Sequence, residues 1–173
     1  LDDCFMTREG GYLEDQLLRG IYIVEHLAIG QHSGKEIEAP HPHDRYVVGV
    51  DISGGVGGDY STLCVVSVAT MQPVFTMRSN TSTPATWAHD VIRVASRYNN
   101  ALVLAESNNH GHAFLLEMAN CRYRNLWCHP STSKAWTATL QSKLDAFDTL
   151  REALPIIKIM DRATWLELRS LTI

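Results

Sequence analysis

Two acidic residues stand at apolar runs of strand length and are the first candidates for chemistry. Asp51 lies within the run 46–52, and Glu106 directly follows the run 101–105. A carboxylate buried unpaired in such a run costs several kcal/mol unless a cation or hydrogen-bond donors meet it. If the two strands are neighbours, the carboxylates lie about 5 Å apart, and two such anions need a divalent cation or a shared proton between them. Mg²⁺ or Mn²⁺ suits hard oxygen ligands, and a metal pair supports in-line attack at phosphorus. The alternative is that each carboxylate caps its strand and faces solvent.

A glycine-rich loop follows Asp51. It has the sequence SGGVGGD over residues 53–59 and is not a Walker A motif, because no Gly-Lys-Ser/Thr follows it. Glycines allow the backbone to pass close to a metal or a phosphate. Asp59, eight residues after Asp51, either folds back toward the same pocket or is a plain turn-forming residue.

The elements that must position these residues alternate between strands and helices. Residues 46–52 and 62–69 are typical of an antiparallel hairpin with a wide loop, and 73–78 of a third strand. Ser82 or Thr83 caps a helix that has Pro84 in its first turn and ends at Asn99-Asn100. The run 101–105 is then a covered strand parallel to an earlier one. Helices over 111–119 and 137–153, a short strand at 125–128 and an extended segment at 156–160 complete an α/β fold, a mixed sheet flanked by helices.

Composition excludes several classes of protein. The 173 residues are 45% hydrophobic and 20% charged, which is typical of one soluble globular domain and excludes disordered, collagen-like and disulfide-rich chains. No apolar run is long enough to span a membrane. The net charge of −4 disfavours nucleic-acid binding through a broad basic surface, so such a function would need a local site.

The first 44 residues have the least readable pattern, and we expect a domain boundary near residue 44. Residues 21–27 fit a strand or the continuation of a helix. The chain lacks an initial Met and ends within a periodic segment, so we expect a fragment of a longer protein. Its cysteines lack C-x-x-C spacing, so neither a zinc site nor a disulfide framework is predicted from them; they are Cys4, Cys64, Cys121 and Cys128.

Several further polar residues have both a functional and an ordinary interpretation. His110 and His112 are candidates for contact with a metal or a phosphate; the ordinary interpretation is that they are polar residues at the start of a helix. Three basic residues are candidates for contact with a DNA backbone, and their ordinary interpretation is solvated surface charge: Arg122, Arg124 and Lys134. The four tryptophans fall in apolar patterns and are expected in the core: Trp87, Trp127, Trp136 and Trp165.

The motifs in combination resemble a known family. They are VGVDISGGVGGDYST at 48–62, SNT at 79–81, LAESNNHG at 104–111, and Trp136-Thr137 followed by Lys143. Over roughly residues 44–168 the chain resembles the nuclease domain of the large terminase subunit of tailed bacteriophages. That resemblance implies a ribonuclease H-like fold, and a metal-dependent endonuclease that cuts concatemeric double-stranded viral DNA during genome packaging.

The resemblance also implies site residues and partners. Asp51 and Glu106 match the metal-binding Asp and Glu, Asp59 matches a further acidic position, and Lys143 matches a basic residue near the scissile phosphate, where it would offset charge. Lys143 is equally explained as a solvated lysine on an amphipathic helix. The implied cofactor is two Mg²⁺ or Mn²⁺ ions. The implied partners are an ATPase motor domain in the same polypeptide, the portal and the small terminase subunit. The implied location is the host cytoplasm, without membrane contact.

One family ligand has no counterpart in the sequence. The third metal-binding Asp of the family follows the segment that matches 165–168, and we expect its equivalent after Ile173. Three acidic residues are not assigned to this role, because two fall within a helix and the third is expected to cap one; they are Asp145, Asp148 and Asp161.

Two alternative functions remain at this point. The pattern Asp-x-x-Gly-Gly that begins at Asp51 is also found where the phosphate-binding half of actin-like and sugar-kinase folds begins, although no second glycine-rich hairpin or adenosine motif appears. The second alternative is a DNA-binding or motor-docking module that does not cleave DNA. An Asp51→Asn variant separates this last alternative from a nuclease, since only a nuclease loses metal and activity.

Overall fold

The protein is built on one mixed sheet. The structure is a computed structural model that describes residues 25–159 and Thr164. Within these residues the strands are β1 (Glu25–Ile29), β2 (His32–Glu36), β3 (Tyr46–Asp51), β4 (Ser61–Ser67), β5 (Pro73–Ser79) and β6 (Leu102–Ala105). Their order across the sheet is β1-β2-β5-β4-β3-β6. Strand β6 is parallel to β3 and the other neighbours are antiparallel, which confirms the predicted three antiparallel strands followed by a parallel one.

The sheet differs from the sequence prediction at two places. Residues 25–36 form a hairpin that joins the edge of the sheet, with Lys35 opposite Thr76 of β5, so the boundary expected near residue 44 falls inside one continuous sheet. The strand predicted at 125–128 is wrong: it is a single parallel bridge between Leu126 and Val103. Asn125 O and the Trp127 N–H both pair with Val103, and the chain then turns at 129–133 instead of continuing along β6.

Three helices occur in the described part of the chain. They are α1 (Pro84–Arg97), α2 (Gly111–Asn120) and α3 (Leu140–Ala153). The Thr83 side chain accepts a hydrogen bond from the Thr86 N–H and Pro84 follows it, as the sequence predicts. Helix α3 begins at Leu140 rather than at residue 137, because Thr139 forms a capping box with Ser142. None of these helices has both the length and the apolar character needed to cross a membrane.

The hydrophobic core lies between one face of the sheet and the helices α1 and α2. Alternate residues of the central strands, such as Val48, Val50 and Val103, are buried there together with Trp87 and Phe114. Because side chains alternate along a strand, the opposite face carries Val47, Gly49, Asp51, Leu104 and, beyond the end of β6, Glu106. We call this opposite face the carboxylate face.

The core contains only one of the described tryptophans in full, and the apolar side chains at the start of α3 are exposed. Trp87 is fully buried, as expected; Trp127 and Trp136 are half-buried, and Trp165 lies outside the described residues. Leu140 is 79% exposed and Leu144 is also exposed. Leu150 and Leu154, at the end of α3 and just after it, pack in a small cluster separate from the main core.

Buried polar networks attach the β1–β2 hairpin to α1. Glu36 is 5% exposed and accepts hydrogen bonds from Arg97 Nε and Nη2 at 2.8 and 2.9 Å and from the Tyr98 hydroxyl at 2.9 Å. The guanidinium of Arg97, followed by Tyr98, holds the pKa of Glu36 below its usual range despite the opposing effect of burial. Burial in turn raises the pKa of Tyr98, with a further contribution from Glu36.

A second network runs from Ser82 through His32 to Asp90. His32 Nε2 lies 3.0 Å from Ser82 Oγ, and His32 Nδ1 lies 2.8 Å from Asp90 Oδ2. Arg93 Nη1 donates to the other Asp90 oxygen at 2.7 Å. The order of groups is that of a hydrolase triad, but Ser82 is only 2% exposed and no substrate can reach its hydroxyl. The network is therefore a structural link between hairpin and helix.

Candidate metal centre

Asp51 and Glu106 come together at the carboxyl ends of two parallel strands. Val50 of β3 is paired with Ala105 of β6, and Asp51 and Glu106 are the next residues along each strand. Neighbouring strands lie about 4.8 Å apart, so Asp51 and Glu106 lie at the same edge of the sheet, each at the end of one of two adjacent strands. The carboxyl ends of parallel strands are where open α/β sheets bind ligands.

The surroundings of the two carboxylates differ from the prediction. Asp51 is exposed rather than buried, because β3 ends there and the helices cover the other face. One Asp51 oxygen accepts the Ile52 N–H at 3.0 Å, and Glu106 is half-buried. The expected cost of burying Asp51 therefore does not apply, and the case for a cation rests on two carboxylates at the same edge of the sheet, on adjacent strands.

Asn108 holds Glu106 in place and was not singled out from the sequence. Its Nδ2 donates to Glu106 Oε1 at 2.6 Å and to the Ala138 carbonyl at 3.1 Å. The Ser107 N–H donates to Trp136 O at 2.8 Å, and Glu106 forms a parallel bridge with Trp136. The run of polar residues directly after a buried strand was the available signal for such a positioning residue.

The glycine-rich loop packs onto the segment that precedes α1. Gly55 has φ +69°, and a Cβ there would lie 2.1 Å from Ser82 O, so only glycine fits. The Gly57 N–H donates to Asn80 O at 2.8 Å. Asp59 is exposed at the end of this loop, three residues before Thr62, which pairs with Asp51. It thus lies at the same end of the sheet as the two carboxylates.

His110 lies between the loop and Glu106. It is the N-cap residue of α2, as one of the two interpretations of the sequence held, and its ring lies 3.2 Å from the position that a Cβ on Gly54 would occupy. His112 is exposed in the first turn of α2. Gly111 approaches Glu106 so closely that a Cβ would lie 1.8 Å from the Glu106 carbonyl oxygen.

The basic residues divide between the two ends of the sheet. Lys143 is exposed in the first turn of α3, just after the segment that contacts Ser107 and Asn108, and Lys134 is exposed two residues before Trp136. Arg122 and Arg124 flank Tyr123, whose hydroxyl donates to Ala101 O at the amino end of β6. Four residues of β6, about 13 Å of strand, separate them from Glu106, so the structure does not bring them to the carboxylates.

Arg78 stands in the same row as the carboxylates and was missed in the sequence. Asp51 is paired with Thr62 on β4, and Thr62 with Arg78 on β5, which puts Arg78 two strands, about 10 Å, from Asp51. Its guanidinium carbon lies 4.9 Å from the centroid of the Tyr60 ring, a cation–π arrangement. Only strand pairing reveals this, since 27 positions separate the two residues.

The donor set fits a hard divalent cation. Two carboxylates, one of them exposed and the other oriented by an amide, offer oxygen ligands of the kind that Mg²⁺ and Mn²⁺ prefer. Asp59 adds a third carboxylate at the same end of the sheet. These side chains are of the type that holds such a cation, although the carboxylate oxygens of Asp51, Asp59 and Glu106 do not all lie within 4.8 Å of one another.

The family and the fold are shown by comparison with known proteins. The family model of the terminase RNaseH-like domain matches residues 48–153, more than half of the chain. The large terminase nuclease of the thermophilic phage G20c with bound zinc is similar in structure, with a TM-score of 0.71 at 19% identity over 87% of this chain and 82% of that one. The same nuclease with bound magnesium gives a TM-score of 0.68 at 18% identity over 82% and 70%.

A further solved structure agrees. The large terminase nuclease domain of the Thermus phage P74-26 has a TM-score of 0.66 at 18% identity, over 94% of this chain and 79% of that one. The family membership decides against the kinase-like alternative. The chain belongs to the terminase RNaseH-like domain family and has the ribonuclease H-like fold of phage large terminase nucleases.

Proposed function

We propose that the chain is a divalent-metal-dependent endonuclease that cuts concatemeric double-stranded DNA during packaging of a phage genome. The observation that carries this proposal is that Asp51 and Glu106 end two adjacent parallel strands, β3 and β6, on the carboxylate face. Similar folds have been solved with magnesium, zinc and cobalt bound. Family membership supports the same reaction class.

Asp51 and Glu106 are proposed to hold the metal, with Asp59 as a further ligand and with Mg²⁺ or Mn²⁺, two ions, as the cofactor. When bound, such ions supply Lewis acidity and an activated water for attack on a phosphodiester. The protein's own contribution is orientation: Asn108 fixes Glu106 through its amide hydrogen bond. Gly111 allows the start of α2 to approach the Glu106 carbonyl, and Gly55 allows the glycine-rich loop to pack against Ser82.

Basic side chains near the carboxylates are proposed to bind the DNA. Lys143 is proposed to offset charge near the scissile phosphate. Arg78 and Lys134 are proposed to contact the DNA backbone, and such contacts position DNA without reading its sequence. Arg122 and Arg124, at the far end of β6, are proposed to contact DNA outside the cleavage site. The net charge of −4 suggests that other parts of a packaging machine share this task.

Those other parts are proposed to be an ATPase motor domain in the same polypeptide, the portal and the small terminase subunit. The site of action is proposed to be the host cytoplasm. Residues 1–44 were expected to link the nuclease to the motor domain. Because residues 25–36 belong to the sheet, the proposed connection is confined to residues 1–24, which lie outside the described part of the chain.

Relaxation of supercoiled plasmid in Mn²⁺ tests the nuclease proposal. We expect nicking with little sequence preference, and its loss in Asp51→Asn and Glu106→Gln. Asp148→Asn is the matched control, since Asp148 is an exposed helix residue paired with Arg151. The assay is run on this chain and on a C-terminally longer form of the protein. Cleavage that is unaffected by Asp51→Asn, or absent from both forms, would contradict the proposal; indifference to Asp51 is the behaviour of a docking module.

A further inference from the structure

Three side chains of metal-ligating type meet where α1 and α2 pack together. His89 lies on α1, Glu117 on α2, and Cys121 is the residue that ends α2. One ligand atom from each lies within 4.8 Å of the other two. His89 Nε2 is 3.1 Å from Glu117 Oε1, and Cys121 Sγ is 3.7 Å from the same oxygen. Neither His89 nor Cys121 was singled out from the sequence as a ligand.

These separations are close to the edges of a small coordination tetrahedron, although His89 faces Glu117 with Nε2 and faces Cys121 with Nδ1, at 3.7 Å, so the ring must turn to present one nitrogen to an ion. Zinc binds imidazole nitrogen, carboxylate oxygen and thiolate sulfur at about 2.0–2.3 Å, which places tetrahedral ligands about 3.3–3.8 Å from one another. His89 has a side chain 49% exposed and Glu117 one 25% exposed, so small rotations suffice to bring all three around one ion. Nitrogen, oxygen and sulfur together favour a borderline-soft ion such as Zn²⁺ over Mg²⁺ or Mn²⁺.

The backbone that carries the three ligands is anchored in the core. Ala88 precedes His89 and Met118 follows Glu117, and both are fully buried in the core. Glu117 and Cys121 are four residues apart on α2, where residues i and i+4 share one helix face. The ligands are therefore held close together before any metal binds, which lowers the cost of ordering them.

The cluster is separate from the carboxylate pair. Helices α1 and α2 cover the core face of the sheet, whereas Asp51 and Glu106 belong to the carboxylate face. We propose that His89, Glu117 and Cys121 form a second metal site, which binds Zn²⁺ with water as the fourth ligand and clamps α1 to α2. This site is independent of the proposed nuclease reaction.

Zinc titration by calorimetry tests the proposal when the carboxylate site is disabled. In a protein that carries Asp51→Asn and Glu106→Gln, we expect one Zn²⁺ to bind per chain. Adding Cys121→Ser or His89→Gln should weaken that binding roughly 100-fold, as loss of a ligand costs at least as much as loss of a group that orients one. Cys128→Ser is the matched control, because Cys128 is likewise exposed and free and should leave binding unchanged.

Cobalt substitution gives a readout that identifies the sulfur ligand. Co²⁺ bound at this site should show thiolate-to-cobalt charge-transfer absorption, which Cys121→Ser abolishes and Cys128→Ser retains. The thermal unfolding of each metal-free variant verifies that it folds. Zinc binding that survives Cys121→Ser and His89→Gln, cobalt without a thiolate band, or no zinc binding once the carboxylates are replaced would overturn the proposal.

Discussion

Gly111 connects the start of α2 to Glu106 and offers a sharp test of the site's architecture. It is buried, and its N–H donates to Asn108 O at 2.8 Å. A Cβ at this position would lie 1.8 Å from the Glu106 carbonyl oxygen and 2.8 Å from its carbonyl carbon. Gly111→Ala must open the first contact from 1.8 Å to at least 3.0 Å, and both atoms to be moved belong to backbone.

The size of the effect follows from that displacement. Overpacking of a well-packed region costs about 1–3 kcal/mol. In a protein of this size each kcal/mol lowers the melting temperature by about 2–4 °C, so we expect a loss of roughly 2–12 °C. Glu106 moves by about 1 Å with its backbone, and a misplacement of that size can reduce a catalysed rate roughly 100-fold.

Differential scanning calorimetry and Mn²⁺-dependent plasmid nicking measure the two effects. Gly49→Ala is the matched control: Gly49 is on the same sheet face, two residues before Asp51, and a Cβ there meets nothing within 4 Å. This control should retain activity and gain about 0.5–1 kcal/mol, because alanine loses less entropy than glycine in a strand. Wild-type melting and nicking by Gly111→Ala would refute the close approach of α2 to Glu106.

Two further predictions concern the networks that hold the β1–β2 hairpin. Glu36 has a pKa lowered from 4.5 by Arg97, so its contribution to the free energy of unfolding is complete above about pH 4.5 and is lost as pH falls through the lowered value. Acid titration of stability should therefore be shallower in Glu36→Gln than in the wild type or in the exposed control Glu38→Gln, and identical slopes would refute this. Asp90 is 1% exposed and both of its carboxylate oxygens are hydrogen-bonded, so Asp90→Asn should lower the free energy of unfolding in urea by about 1–3 kcal/mol. The surface control Asp148→Asn should lower it by about 0–1 kcal/mol. Equal losses in the two variants would contradict a structural role for the buried Asp90 network.

Periodicity and capping predicted much of the fold. The continuous apolar runs at β3 and β4 and the Thr83-Pro84 start of α1 depend on local chemistry, and the structure confirms them. The hairpin at 25–36 was not assigned because its contacts are distant in sequence: Glu36 is hydrogen-bonded to Arg97 and Tyr98, 61 and 62 positions away. Local sequence patterns do not indicate contacts between residues so far apart in the chain.

The carboxylate pair could be predicted, but its surroundings could not. Asp51 and Glu106 each stand beside an apolar run, which is visible in the sequence, while the exposure of Asp51 depends on which face the helices cover. Arg78 enters the row only through the register of three strands. The cysteine spacing predicted no zinc site, whereas the proposed ligands come from two helices separated by a strand.

Binding of Mn²⁺ to this chain, measured by calorimetry beside Asp51→Asn, tests the central claim most directly. If Asp51 and Glu106 form a metal centre, the wild type binds Mn²⁺, and Asp51→Asn binds it at least roughly tenfold more weakly, while Asp148→Asn is unchanged. Glu106→Gln should reproduce the loss. Equal Mn²⁺ affinity in the wild type and both site variants would contradict the proposal that Asp51 and Glu106 bind the metal.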